Sequence, residues 1–227
     1  MIGLACPHGS VPGRLFDWLC RFLPARLGED LVIAQVDGES EVAHANNLLA
    51  ARFLASDYAR LWLVAADLVP YAATHSILDA DADIATGLSY VEQVDPLDTE
   101  GYLAGPNFVR FDADSVWSWR QLGWAEIGDA PLQNTAGGMH CAVIRREVFA
   151  LPGVELAPGA WYRTHRDAAG RRTMSDDIDF CWRAMAAGAS VVAYPGAVSG
   201  HLKTVDIGAL WRSAVACGRR MAAEEVA

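Results

Sequence analysis

No stretch of this sequence approaches the ~18 uninterrupted apolar residues that a membrane-spanning helix needs, so no span is expected. Positive charge is also scarce: 18 Lys and Arg stand against 28 Asp and Glu, a formal net charge of −10. That balance opposes tight, sequence-independent binding to nucleic acid, which depends on neutralising phosphates. A basic patch would have to be local. Cysteine is sparse, with five in 227 residues and no Cys-x-x-Cys spacing, which argues against a thiolate zinc or redox site. Reduced, mostly buried thiols in a cytoplasmic protein are expected instead. Internal repeats and low-complexity tracts are absent. Met1 to Pro7 lacks a basic segment before its apolar run and does not read as a secretory signal. What is there is a chain 52% hydrophobic and 20% charged, with ample apolar surface for one large domain.

The first 90 residues alternate short apolar runs with amphipathic ones. Ile2–Cys6, Leu31–Val36, Leu61–Val64 and Asp83–Tyr90 read as strands. Leu15, Phe16, Trp18, Leu19, Phe22 and Leu23 recur at helical spacing, a second helix is expected over Glu39–Ala55, and a short one after Pro70. Such alternation predicts a mainly parallel sheet covered by helices. Ligands of these sheets bind at the carboxyl ends of strands, so Pro7-His8-Gly9, Asp37 and Asp67 all point to one rim. The second half is less regular. Asn107–Ile127, with Trp117, Trp119 and Trp124, suggests one or two antiparallel strands. Thr135–Ile144 is a glycine-led approach to a strand, followed by a helical turn to Phe149. Residues 151–174 read as a long, basic loop of the kind that often acts as a lid. A helix is expected over Ser175–Ala187, stopped by Gly188, then a strand over Ser190–Tyr194, then Gly200-His201, and a terminal helix from about Asp206.

The densest polar cluster is Ser175-Asp176-Asp177-Ile178-Asp179-Phe180-Cys181-Trp182-Arg183. Ser175 suits an N-cap and first-turn carboxylates suit the helix dipole, while Asp179 and Arg183 have ion-pair spacing. Three aspartates within four residues also place a carboxylate where it would accept a proton from an attacking hydroxyl. The helix terminus is expected to lower the pKa of such a group. Asp67, ending a buried strand, suits a hard divalent cation, and His201 gains weight as a ligand if it meets Asp67 in space. Pro7-His8-Gly9 is not a phosphate-cradling loop of the Walker type. The Trp-rich segment reads first as packing, although aromatic faces also stack on sugars and bases.

Taken in order, these segments resemble the glycosyltransferase-A fold, in particular the family-2-like inverting transferases of bacteria and phages. The resemblance rests on Ala5-Cys6-Pro7-His8-Gly9 as a nucleotide loop, and on Asn46-Asn47-Leu48-Leu49 running into Leu61-Trp62-Leu63-Val64-Ala65-Ala66-Asp67-Leu68-Val69-Pro70. It continues through Asp83–Leu88, the glycine strand Gly137–Phe149, the acidic helix Asp176–Ala184 and the closing Gly200-His201. It covers roughly residues 2 to 203.

The resemblance implies a single glycosyltransferase-A domain, a Rossmann-like α/β unit whose mixed, mostly parallel sheet is flanked by helices. Residues 1–90 would form its nucleotide-binding half, 91–203 its acceptor half and 204–227 a C-terminal helix. It implies a nucleotide-diphosphate sugar donor held by Pro7, His8, Gly9, Asp37, Asn46, Ala65 and Ala66, and a Mn2+ or Mg2+ ion on Asp67 and His201. Asp177, or else Asp176, would be the base. Gly138, Met139, His140 and Trp161 would face the sugar or the acceptor, which is a glycan, a protein or a small molecule. Two departures stand out: Ala65 replaces the first acid of Asp-x-Asp, and Asn46 replaces an arginine. The alternative reading is therefore a catalytically impaired nucleotide-sugar- or glycan-binding domain. A nucleotidyltransferase ranks third, because no glycine-rich, basic triphosphate loop lies near the N-terminus.

Overall fold

A computed structural model of the chain describes residues 1–6, 13–27, 33–37, 42–95, 98–112 and 118–201. The Pro7–Gly9 loop and the helix expected from Asp206 lie outside these residues. In chain order the elements are β1 (Ile2–Cys6), α1 (Gly13–Leu27), β2 (Ile33–Asp37), α2 (Val42–Leu54), β3 (Arg60–Ala65), β4 (Leu68–Pro70), a 3-10 turn (Thr74–Asp79) and β5 (Ile84–Leu88). There follow β6 (Tyr90–Asp95), β7 (Asp98–Pro106), β8 (Val109–Phe111), β9 (Trp119–Gln121), β10 (Leu132–Gln133), β11 (Thr135–Ala136) and β12 (Cys141–Arg145). A 3-10 turn (Arg146–Ala150), β13 (His165–Arg166), β14 (Arg172–Met174), α3 (Asp176–Ala186) and β15 (Val191–His201) complete the chain as described.

The α/β architecture is the expected one. The central sheet runs β2-β1-β3-β12-β5-β15-β10, with β4 attached to β15. β1 is parallel to β2 and β3, and β15 to β5, while β12 runs antiparallel to both β3 and β5. The sheet is thus mixed: β1, β2, β3, β5 and β15 share one direction, while β12 and β10 run against them. Its middle strands β3, β12 and β5 are buried along almost their whole length and mostly apolar, because both faces are covered. In β3, Leu61 and Leu63 join the core beneath α2 and α3 with Leu49, Phe53, Phe149 and Phe180. Trp62 and Val64 point the other way, to Leu15 and Leu19 of α1, as the two-residue period of a strand requires. Of the described cysteines, Cys141 and Cys181 are buried and Cys20 is exposed; burial pushes the Cys141 thiol up to about 12, so it is an inert packing group.

Several boundaries differ from the sequence reading. β4 carries Pro70, yet β4 lies off the main path of the sheet and pairs with β15, so a missing N–H is tolerated there. β15 does not stop at Tyr194: a register shift between Tyr194 and Val198 carries it on to His201. Segment 151–174 is not a plain loop, because β13 and β14 pair as an antiparallel hairpin within it. Ser175 sits at the N-cap of α3 with extended backbone but makes no side-chain cap bond. Gly188 does end the helix, at φ +97°, a conformation that costs glycine little.

Segment 151–174 is tied to α3 by one buried ion pair. Arg183 Nε donates to Asp179 Oδ2 at 2.8 Å, and the same guanidinium donates to the carbonyls of Gly153, Val154 and Trp161. The other oxygen of Asp179 takes His165 Nε2 at 2.7 Å and Arg163 Nη2 at 3.3 Å. Asp179 is fully buried, so every lone pair must be satisfied within the protein. Replacing Asp179 with Ala should leave Arg183 buried without its countercharge and cost about 3–5 kcal/mol. Urea denaturation of the variant would show this as a lower midpoint, and a midpoint like wild type would refute the anchoring role.

Candidate functional site

The carboxyl ends of β1, β2, β3 and β5 share one rim, and because β12 runs the opposite way, the residues leading into it arrive there too. β15 passes this rim and then pairs antiparallel with β4, placing His201 opposite Leu68, the neighbour of Asp67. His201 Nε2 accordingly lies 2.8 Å from Asp67 Oδ2. His201 Nδ1 is 3.1 Å from the Tyr90 carbonyl. A carbonyl only accepts, so Nδ1 carries the hydrogen and a neutral ring turns its Nε2 lone pair toward a carboxylate. That arrangement calls for a proton or a cation between them. Two ligands ~2.0–2.2 Å from one ion and at right angles lie about 3 Å apart, so this pair fits a divalent cation. Among the described residues no group of three His, Cys, Asp or Glu side chains is arranged for a metal. Further positions would fall to substrate oxygens and water, the usual habit of Mg2+ and similar ions.

Next to His201 the ring of His140 stacks at 5.3 Å and 11°. Asn107 fixes its tautomer: Oδ1 accepts the Ser89 N–H at 2.7 Å, so Nδ2 is the amide atom 3.1 Å from His140 Nε2. His140 Nε2 therefore accepts, and a hydrogen sits on Nδ1. Gly138 lets two side chains close in on its backbone. A Cβ there would lie 2.7 Å from His140 Nδ1 and 3.0 Å from Asp177 Oδ2. A Cβ on Gly137 would lie 2.4 Å from Asn107 Nδ2. Both positions demand glycine for close approach.

The two adjacent aspartates at the start of α3 have different surroundings. Asp176 is buried, and its Oδ2 accepts the Asn46 amide at 3.0 Å. Burial, reinforced by the neighbouring charge of Asp177, pushes its pKa up to about 6. The expected lowering by the helix terminus is thus overridden by desolvation. Asp177 is half-buried and receives the Ile178 N–H on Oδ1 at 2.8 Å.

Two adjoining cavities meet at Asp177. One, of about 360 Å³, runs past Ala5, Asn46, Ala65 and Asp67 beneath the strand ends. The other, of about 490 Å³, is walled by Asn107, Val109, Trp119 and Gln121. Gly-side residue His140, together with Arg172, Ser175, Asp177 and His201, borders both. In the hairpin β13–β14, Arg166 and Arg172 are directly paired and both line the first cavity. Like charges placed opposite one another are unfavourable, and an anion in that cavity would relieve them.

In fold, the chain is similar to A197 from STIV. The two align with a TM-score of 0.51 at 16% identity, over 89% of this chain and 85% of that one. The inositol-1-phosphate CTP transferase from T. maritima aligns with a TM-score of 0.43 at 10% identity, covering 91% of this chain and 92% of its own. GalNAc-T7, crystallised with UDP, GalNAc and Mn2+, aligns with a TM-score of 0.45 at 14% identity, over 90% of this chain and 44% of that one. At such identities the likeness to A197 is one of fold, and the two weaker alignments decide nothing about activity. No protein-family model matches the chain, and none of the curated proteins matches it.

Of the residues singled out from sequence, the structure gathers Asn46, Ala65, Asp67, Met139, His140, Asp176, Asp177 and His201 around the first cavity. Gly138 lines the second. Ala66 is buried beside them, its N–H bonded to the Ala5 carbonyl. The backbone of Asp37 ends β2 opposite Cys6 at the same rim, and Pro7, His8 and Gly9 fall outside the described residues. Trp161 is not brought to the site. It is buried, edge-on to Phe149, with Nε1 donating to the Phe149 carbonyl. Arg163 and His165, expected in a basic lid, are turned to Asp179 instead, and Arg172 stands with Arg166 at the cavity. Sequence reasoning missed Arg172, Asn107 and Gln121. A turn signal was present for Arg172: Asp167 and Gly170 close a hairpin that sets residue 172 opposite 166.

Asp176 yields a pH-dependent prediction. Its folded pKa is raised, so the protein is favoured while Asp176 is protonated. That advantage is complete below the unfolded value near 4 and lost as pH rises through about 6. Asp176→Asn should therefore raise stability by about 1–3 kcal/mol above pH 7 and have little effect below pH 4. Melting curves of both proteins across that range would show the crossover, and a variant less stable at pH 8 would contradict it.

Proposed function

We propose that this chain is a glycosyltransferase that moves a sugar from a nucleotide-diphosphate donor to an acceptor hydroxyl, with inversion and with a divalent cation. The observation that carries the reading is the position of Asp177 at the seam of two cavities. One cavity opens at the carboxyl ends of parallel strands, where nucleotides bind in open α/β sheets, and holds the Asp67–His201 pair at its edge. The other gives an acceptor its own approach. A single carboxylate between the two is what a direct displacement needs.

In this mechanism Asp67 and His201 would hold a Mn2+ or Mg2+ ion, which would supply positive charge against the oxygens of the leaving diphosphate. Arg166 and Arg172 supply further positive charge to the same oxygens. Asp177 accepts the proton of the acceptor hydroxyl as its oxygen attacks the anomeric carbon from the side opposite the leaving group. The sugar–phosphate bond breaks as the new glycosidic bond forms, which inverts the anomeric centre. Asp176, held by Asn46, positions the N-terminus of α3 rather than taking the proton. His140, carrying its hydrogen on Nδ1, faces the same space as Asp177, and Gly138 leaves room for both.

A second reading keeps the fold and the donor cavity without efficient transfer, and Ala65 favours it. Its methyl lines the donor cavity where the resemblance places a carboxylate. Donor binding is expected to stabilise the folded chain by mass action, so a thermal-shift panel of nucleotide-diphosphate sugars with and without Mn2+ names the donor. Asp177→Asn should then abolish transfer while donor affinity stays within a few-fold, because a base acts on the chemical step. Wild-type protein that binds a donor but neither transfers nor hydrolyses it would decide for the binding domain.

Restoring the missing acid is a separate test. One charge-assisted contact contributes ~1.5–3 kcal/mol, so Ala65→Asp should tighten metal-dependent donor binding roughly ten- to a hundred-fold. Without metal, the added carboxylate beside Asp67 should lower the melting temperature. If neither change occurs on titrating Mn2+ with donor present, residue 65 does not face the nucleotide.

A further inference from the structure

We infer that the acceptor is a carbohydrate chain of at least two sugar rings, laid across the indole of Trp119. The inference rests on the transferase reading and names the substrate class of its second cavity. Trp119 is 37% exposed on the three-residue strand β9, which leaves part of a large, flat aromatic surface available to a ligand. It borders the acceptor cavity that reaches Asp177, and it also borders a further cavity of about 340 Å³ lined with Arg110, Asp112, Ser118 and Arg120. Trp119 thus lines both cavities, and a ligand that spans them would run past it. That path runs away from the Asp67–His201 pair, which the further cavity does not touch.

The chemistry along the path is that of sugar recognition. Sugar rings present an apolar face of C–H groups and an edge of hydroxyls, matching a flat indole flanked by planar polar groups. Those groups are held in place before any ligand arrives. Arg120 makes a two-point pair with Glu126 at 2.9 and 2.6 Å, and Glu126 also takes the Gly123 N–H. Gln121 donates its amide hydrogen to the Pro106 carbonyl at 2.7 Å, which leaves its oxygen as an acceptor for a hydroxyl. Asn107 is fixed by Ser89 and His140. Preorganised hydrogen-bonding groups lower the entropy cost of binding a hydroxyl-rich ligand. A lipid chain would suit the further cavity poorly, because four of its six lining residues are polar. A peptide is the competing occupant, since β9 is an edge strand open to strand addition.

The test is an array of defined glycans from monosaccharides to hexasaccharides, probed with the whole chain alongside a peptide library of similar size. Solution titrations of graded lengths of any bound series follow, read by tryptophan fluorescence. At least one series should bind ten-fold or more tightly as a trisaccharide than as its monosaccharide. Trp119→Ala should erase that gain, and Trp119→Phe, which keeps an aromatic face, should retain most of it. The inference is overturned if no glycan of two or more residues binds, if the length gain survives in Trp119→Ala, or if peptides bind in place of glycans. The donor is scored separately by melting temperature with nucleotide-diphosphate sugars and Mn2+. A glycan gain without a donor shift removes the transferase reading and leaves a glycan-binding groove, whereas a donor shift without glycan binding removes the groove alone.

Discussion

The buried pair of Asp179 with Arg183 holds together the part of the molecule on which the site depends. Arg183 reaches three backbone carbonyls of the segment before it, so one guanidinium fixes both the direction of α3 and the path of residues 153–161. Asn47 does the same from α2, accepting the Trp161 and Tyr162 N–H groups at 2.8 Å and donating to the Tyr162 carbonyl at 2.9 Å. Together these contacts lock the base of the β13–β14 hairpin, whose Arg166 and Arg172 line the cavity. Arg166 and Arg172 of that hairpin and Asp176 and Asp177 of α3 are consequently brought to one cavity by groups that lie outside it. Buried charge is costly in itself, and its retention here fits a role in fixing geometry.

A second constraint is the reversed central strand. A sheet of parallel strands alone would bring only strand ends to its ligand rim. Because β12 enters from that rim, the Gly137–His140 approach lies beside Ala65 and opposite α3, and the Ala65 N–H is bonded to the His140 carbonyl. Beyond it, the small sheet β11-β8-β9 adds a wall of a different character, polar and aromatic where the rim is acidic and basic.

The buried elements were readable from sequence because their residues obey local rules. β1, β3 and β5 are short apolar runs, α3 begins at an acidic cluster and ends at a glycine, and the Asp179–Arg183 spacing is that of neighbours on a helix face. The rim was readable as a direction, since strands that alternate with helices finish on one side, and this brought Asp67 into view. Its meeting with His201 was implied by the resemblance alone and not by any local rule. It depends on β15 continuing past Pro195 and Gly196, residues that argue for a stop, and on pairing with a strand that itself contains a proline. Trp161 misled for a related reason: an aromatic residue in a basic, glycine-rich segment has the composition of a sugar platform, but its position was decided by Phe149 and Phe180 in the core. Asn46, Asn47 and Asn107 show the same limit, because an amide becomes informative only when its partners, here 130, 115 and 33 residues away, are known.

The paired glycines at 137 and 138 carry a consequence for how this site would look to genetics. Neither has a functional group, yet each holds open a space that a methyl would fill, one against an amide and the other against a carboxylate and an imidazole. A saturation scan read only by loss of activity would rank them with the acid they border. Their sensitivity would report a distance rather than a reaction, and a lineage that lost the chemistry would be free to fill the gap. Side-chain atoms at these two positions in a natural variant would therefore be a sign, legible in a single sequence, that the task proposed for Asp177 had been given up.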